Sequence, residues 1–176
     1  SVMREKINLM SRRAVPHTDE DGRNILVGLD ELCKKYITKE TVMVELGCLY
    51  GMSTCLFAEY AKTVHTIDQY HDPFRIRKHE NIIYHKGRFK RMLPKIQHLY
   101  PEKVDLIYID GNHSYENVCE DIEMTLPLIK DTGYISGHDY VDLEYTGVIQ
   151  AVKDKLKVEP EIFPDSSWLI KMSDIK

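Results

Sequence analysis

Two short pieces of this chain carry residues that could do chemistry: Glu45-Leu46-Gly47-Cys48-Leu49-Tyr50-Gly51-Met52-Ser53 and Ile109-Asp110-Gly111-Asn112-His113-Ser114-Tyr115. Each follows a β-branched and apolar run, and each ends in small or polar residues where a helix should begin. In an open parallel sheet, ligands sit off the carboxyl ends of the strands. Gly47 and Gly51 suit a sharp strand-to-helix turn, because glycine tolerates positive φ and lets a ligand approach the backbone. The free amides of the helix start would then face that ligand. Their spacing is Gly-x-x-x-Gly, which is not the dinucleotide fingerprint, and no Lys-Ser/Thr pair follows to make a phosphate loop. A turn with no ligand fits the glycine pair equally well. Asp68 tips the balance: it stands 21 residues after Gly47 at the end of a second strand, where an acid can accept both hydroxyls of a ribose. The second piece, with Asp110 and His113, offers acid/base or metal chemistry.

The elements that must position these residues alternate between strand-like and helix-like runs, the pattern of βαβ units. Ile25, Leu26, Leu29, Leu32, Cys33 and Tyr36 recur at helical spacing and predict an amphipathic helix over 24–38. Strands are expected over 41–46, 63–68, 81–85 and 104–109, with helices over 53–62 and from the third strand to about Leu99. Ser53 is placed to cap the helix it opens. A helix over 115–129 leads through a Lys130-Asp131-Thr132-Gly133 turn into a strand over 134–138, and a helix over about 144–156 follows. The stretch from Pro160 to Met172 reads as two strands around a Pro/Asp/Ser turn. The fold expected is α/β, a Rossmann-like doubly wound and mostly parallel sheet with a C-terminal antiparallel hairpin. Residues 1–23 read as a polar lead-in or lid, and 24–176 as a single domain.

Bulk properties agree. A chain of 176 residues can bury a substantial core as one domain. A net charge of −4 gives no global reason to bind nucleic acid or membrane, and no apolar stretch approaches the length that spans a bilayer. The four cysteines show no C-x-x-C spacing, so reduced thiols in a cytoplasmic setting are expected.

Val44-Glu45-Leu46-Gly47 through Gly51-x-Ser53, then His65-Thr66-Ile67-Asp68, then Asp105-Leu106-Ile107-Tyr108-Ile109-Asp110-Gly111 resemble class I S-adenosylmethionine-dependent methyltransferases. The similarity is greatest to the catechol O-methyltransferase-like and small sugar O-methyltransferase branches. It runs from about residue 40 to 172, and the closing hairpin fits that family's last two strands. The resemblance implies a single methyltransferase domain over 24–176. It implies that Glu45, Gly47 and Ser53 surround the methionine part of S-adenosylmethionine, that Asp68 holds the ribose, that Gly87 and Arg88 lie along the adenine, and that Gly51 and Asp110 also bind the cofactor. Family members often carry Asp where Arg88 stands. In the metal-dependent branches the acid in the position of Asp110 binds Mg²⁺, and the Lys or His three residues later, here His113, is the base toward the substrate hydroxyl. Asp139 falls where a second metal carboxylate lies, such carboxylates suiting a hard cation. Tyr140 stands where catechol-type enzymes carry an Asn ligand. His138 fits either this site or packing beside the strand end.

The function so implied is methyl transfer to a hydroxyl of a small molecule, a sugar or a phenol. A basic cluster (Arg75, Arg77, Lys78, Lys86, Arg88, Lys90, Arg91, Lys95) could attract an anionic acceptor, or nucleic acid, or be a solvated face. Tyr115, Tyr140, Tyr145 and Trp168 are candidates for lining the acceptor pocket or for ordinary packing. A homodimer is compatible with this reading. The competing readings are a non-catalytic cofactor-binding partner subunit, a nucleic-acid or protein methyltransferase, and a nicotinamide oxidoreductase, the last disfavoured by the glycine spacing.

Overall fold

The computed structural model describes residues 17–18, 24–144 and 146–175. Most of the polar lead-in over 1–23 and Tyr145 lie outside the described residues. A two-stranded antiparallel pair, β1 (His17–Thr18) and β2 (Asn24–Ile25), precedes helix α1 (Val27–Tyr36). Then follow β3 (Val42–Leu46), α2 (Met52–Tyr60), β4 (Thr63–Asp68), β5 (Ile82–Lys86), α3 (Phe89–Leu99) and β6 (Val104–Ile109). The chain continues with α4 (Tyr115–Thr125), β7 (Ile129–Gly137), α5 (Val148–Leu156), β8 (Glu161–Ile162) and β9 (Trp168–Lys171).

The main sheet has seven strands in the order β5-β4-β3-β6-β7-β9-β8. The pairs from β5 to β7 are parallel, and β9 runs antiparallel to both of its neighbours. The expected doubly wound sheet with an antiparallel C-terminal hairpin is what forms. Its two faces follow from the alternation of side chains along each strand. Met43, Leu106 and Tyr108 pack with Leu29, Leu32 and Phe57 on one face. Val44, Ile107 and Ile109 pack with Ile96, Ile122 and Val152 on the other. From β3 the chain winds outward to β4 and β5, then returns to β6 on the opposite side. The carboxyl ends of β3 and β6 are therefore a topological switch point, where a crevice opens between diverging connections.

Three local expectations are corrected. Helix α2 is capped at Gly51, in the left-handed region at φ 81°, with no side-chain cap; Ser53 donates instead to Glu45. Helix α4 ends at Thr125 rather than 129, giving way to a 3-10 turn over Leu126–Leu128, because Pro127 has no N–H and its ring crowds the turn before it. Residues 130–133 belong to β7 and form an irregularity in its pairing with β6 rather than a free turn. Gly133 fits there because its α-carbon faces the carbonyl of Asp105 too closely for a Cβ, while Lys130 reaches Asp105 at 3.1 Å.

Candidate functional site

A cavity of about 1030 Å³ lies at the carboxyl ends of the parallel strands. The residues following β3 and β6 (Gly47, Asp110), the second residue after β7 (Asp139), the last residue of β4 (Asp68) and the residue following β5 (Gly87) all reach its wall. Gly47, at φ 89°, packs so closely on the carbonyl of Asp110 that a Cβ has no room. That contact seats the two switch-point turns against each other. Arg88 and His113 also line the cavity, so Gly47, Asp68, Gly87, Arg88, Asp110, His113 and Asp139 come together as expected from the sequence.

Glu45, Gly51 and Ser53 do not reach this wall. Glu45 is completely buried beneath α2, where its carboxylate accepts from Ser53 Oγ at 2.6 Å, from Thr66 Oγ1 at 2.7 Å and from the hydroxyl of Thr54. Burial pushes its pKa up to about 7 despite those three hydroxyls. Gly51 lies against Pro73, Arg75 and Ile76, where a Cβ would sit 2.7 Å from Ile76. These three residues shape the β3–α2 turn from behind.

Asp68 is 6% exposed, and its two oxygens already organise the loops around it. Oδ2 accepts from the backbone N–H of Cys48 at 2.9 Å and of Leu49 at 3.3 Å. Oδ1 accepts from Tyr70 and His71 N–H, both at 2.8 Å. Burial alone would raise its pKa, but those four N–H groups hold it below the ordinary value. Asp68 is thus an ionised acceptor at the cavity wall. A diol binding there would have to displace the weaker of these bonds, since a carboxylate offers about four lone-pair sites.

Across the cavity, Asp110 and Asp139 meet His138, and one donor atom from each lies within 4.8 Å of the others. His138 is 3% exposed. Its Nε2 donates to the carbonyl of Asp165 at 2.7 Å, which fixes the orientation of the ring. Nδ1 then faces Asp139 Oδ1 at 3.4 Å and Asp110 Oδ1 at 3.8 Å, and has no hydrogen-bond partner among the described residues. Burial opposes charge on this ring, yet Asp139, Asp110 and Asp165 together push its pKa up to about 10. Burial likewise raises Asp110 to about 7, with His138 pulling the other way. An unsatisfied nitrogen aimed between two carboxylates needs a cation, either its own proton or a metal. Tyr140 plays no part in this set: it is 8% exposed, packed in the core, with its hydroxyl unpartnered among the described residues.

A family model for a methyltransferase domain matches residues 44–140, more than half of the chain. This chain belongs to the methyltransferase domain family. Protein R132 of Acanthamoeba polyphaga mimivirus is 24% identical over 144 residues, covering 73% of this chain and 64% of that protein, so the match spans less than two thirds of the relative. Among solved structures, CalS11, a TDP-rhamnose 3'-O-methyltransferase of calicheamicin biosynthesis, aligns with a TM-score of 0.67 at 13% identity, covering 82% of this chain and 77% of its own. The O-methyltransferase from Bacillus cereus, solved with S-adenosylhomocysteine, aligns with a TM-score of 0.59 at 16% identity over 96% and 89%. A precorrin 8w decarboxylase from Methanobacterium thermoautotrophicum gives 0.58 at 20% identity over 76% and 74%. The neighbours thus share the fold while differing in reaction, so function rests on the site.

In this methyltransferase domain several site residues escape sequence reasoning. His138 is flagged only as ambiguous, because its partner Asp165 lies in the turn of the C-terminal hairpin. Asp165 reads as a turn former, yet it is 2% exposed and accepts from Ser167 N–H at 2.9 Å and Ser167 Oγ at 2.8 Å. Asn117, Asp121 and Met124 all face the cavity from α4. Their i, i+4, i+7 spacing was the available signal. Of the basic cluster, Arg88 and Lys90 reach the cavity. Tyr115, Tyr140 and Trp168 do not line it: Tyr115 donates to Asp154 at the surface at 2.6 Å, and Trp168 is 1% exposed in the core. All four cysteines are free, and no described helix is long and apolar enough to cross a membrane.

Proposed function

We propose that this chain is an S-adenosylmethionine-dependent O-methyltransferase that acts on a small hydroxylated acceptor with His113 as general base. The observation that carries this reading is a large cavity at the switch point. It gathers the Gly47 turn, the ionised Asp68 and the Asp110–His113 pair around one void. The family supports methyl transfer, and the O-methyltransferases CalS11 and that of Bacillus cereus share the fold.

Bound there, S-adenosylmethionine supplies an electrophilic methyl on a sulfonium, which leaves as the neutral thioether. Asp68 would accept from its ribose hydroxyls, and the Gly47 turn leaves room for its amino-acid end. Positioning does much of the work, since holding an acceptor oxygen about 3 Å from the methyl converts an encounter into an aligned displacement. The acceptor O–H must also lose its proton as the new C–O bond forms. His113 takes that proton on its ring, and a neutral imidazole suits the task at physiological pH with about 10²–10⁴-fold of rate.

The orphaned Nδ1 of His138 between Asp110 and Asp139 fits a divalent cation. Those three residues would hold it, and a cation there lowers the pKa of an acceptor hydroxyl. One imidazole beside two carboxylates favours Mn²⁺ or another transition ion over Mg²⁺, which prefers oxygen. We further propose an acceptor with an anionic group, steered by Arg88 and Lys90 on the rim.

The test is a screen of hydroxylated sugars and phenols, with Mg²⁺, Mn²⁺ or chelator, reading formation of S-adenosylhomocysteine. Acceptor-dependent product that disappears in His113→Ala supports the reading. Full activity in that variant removes the base assignment, and no turnover with any acceptor favours a non-catalytic partner subunit.

A further inference from the structure

The surface that runs from the cavity mouth along the outside of α3 carries charge that the reaction above does not use. Between Glu80 and Glu102 the chain holds five Lys or Arg and no Asp or Glu. The whole chain is −4 and this stretch is +5, so the remainder is −9. Charge separated this sharply makes a local positive field on an otherwise acidic molecule, and such a field attracts anions.

Packing gathers these cations on one surface. Met92, Leu93 and Ile96 are buried, so that side of α3 faces the sheet. Arg88, Arg91, Lys95 and His98 follow one another at i, i+3, i+7 and i+10 and share the outward side. At 1.5 Å per residue the row extends about 15 Å. Lys86, Arg88, Lys90, Arg91 and Lys95 are all exposed. Among the described residues none of the five forms an ion pair, whereas Arg77 nearby is held by Asp72 at 2.8 Å.

The row begins at the cavity, where an aromatic ring joins it. Arg88 and Lys90 line the cavity wall, and so does Tyr70. Gly87 N–H donates to the carbonyl of Asp68 at 3.1 Å, which holds the turns after β4 and β5 side by side. Tyr70 is 81% exposed, and no described ring or cation packs on its faces. Cations spaced along a row suit a chain of phosphates, and an uncovered aromatic face suits an unpaired base. A single sugar phosphate would occupy only the rim end of the row. In a duplex the bases are stacked on each other and leave no face for Tyr70. A concave rim also suits a strand that ends in the cavity better than a flat bilayer.

We propose that the outward side of α3 and Tyr70 form a docking strip for single-stranded nucleic acid, with phosphates along Arg91 and Lys95 and a base stacked on Tyr70. The inference goes beyond the proposed reaction, which calls only on the two cations at the rim, and it does not depend on the cofactor.

The experiment follows fluorescence anisotropy of labelled RNA and DNA strands of about 12 nucleotides, and of the same RNA as a duplex. Three or four phosphate contacts should make affinity for the single strands fall by about 20–50-fold between 50 and 200 mM NaCl. The double variant Arg91→Glu/Lys95→Glu, both on the solvent side of α3, should lose at least ~10-fold in affinity and show a shallower salt dependence. Tyr70→Ala should lose about 5-fold or more. Each variant is first shown to melt cooperatively and to give the wild-type heat with S-adenosylhomocysteine, so failure of the strip is read separately from failure of the cofactor site. No binding of single strands at 50 mM NaCl, tighter binding of the duplex, or affinity unchanged in the double variant overturns the proposal. Sedimentation with phosphatidylserine vesicles in the absence of strand binding also overturns it, in favour of a membrane surface.

Discussion

Replacing Glu45 by Gln should make the protein's stability less sensitive to pH, and the size of the effect follows from the burial of that carboxyl. Glu45 is completely buried, and its pKa rises from 4.5 to about 7, chiefly through desolvation. A carboxyl whose folded pKa is raised favours the protonated form in the native state, so ionisation costs stability. The cost is absent below the unfolded pKa, grows as pH rises toward 7, and is constant above it. A shift from 4.5 to about 7, at about 1.4 kcal/mol per unit, corresponds to about 3 kcal/mol. Between pH 5 and pH 8 the wild type should lose roughly 2.5 kcal/mol of that through this group. Glu45→Gln removes the titration while keeping an amide oxygen for the hydroxyls of Ser53, Thr54 and Thr66. Urea unfolding of both proteins at pH 5 and pH 8 gives the double difference, in which any pH-independent packing change cancels. The variant should gain on the wild type by about 2–3 kcal/mol between the two pH values. A double difference near zero would refute the claim that a buried, titrating carboxyl sits under α2.

Three further outcomes follow from the site and the core. His113→Ala should bind S-adenosylhomocysteine within about threefold of wild type while losing about 10²–10⁴-fold in turnover, measured once an acceptor is in hand. His138→Ala should weaken Mn²⁺ binding by at least ~10-fold in a calorimetric or electron-paramagnetic titration; unchanged affinity would remove Nδ1 from the ligand set. Trp168→Ala, which empties a 1%-exposed site beside Gly137 where the indole leaves no room for a Cβ, should cost about 3–5 kcal/mol in chemical unfolding.

Much of the architecture was legible because long apolar runs at the central strands leave little choice of conformation. Val104–Ile109 is buried on both faces, and so, apart from their first residues, are β3 and β4. Boundaries were less legible where local chemistry yields to long-range packing. Lys130-Asp131-Thr132-Gly133 has the composition of a turn but is drawn into β7 by pairing with β6. Ser53 has the look of a cap, yet the buried Glu45 claims its hydroxyl. The site shows the same division. Asp68, Asp110, His113 and Asp139 could be placed because strand ends deliver them to one edge of the sheet. Local sequence does not say that three hydroxyls converge on Glu45 and turn it away from the cavity. The part played by His138 depends on Asp165, 27 residues further along.

The most direct measurement is a calorimetric titration of S-adenosylhomocysteine into the wild-type chain and into Asp68→Ala. The account predicts saturable heat at one site, weakened by about 100-fold or more when the Asp68 carboxylate is removed, since two hydrogen bonds to a charged acceptor go with it. Absence of binding to the wild type, or equal affinity in the variant, would contradict it.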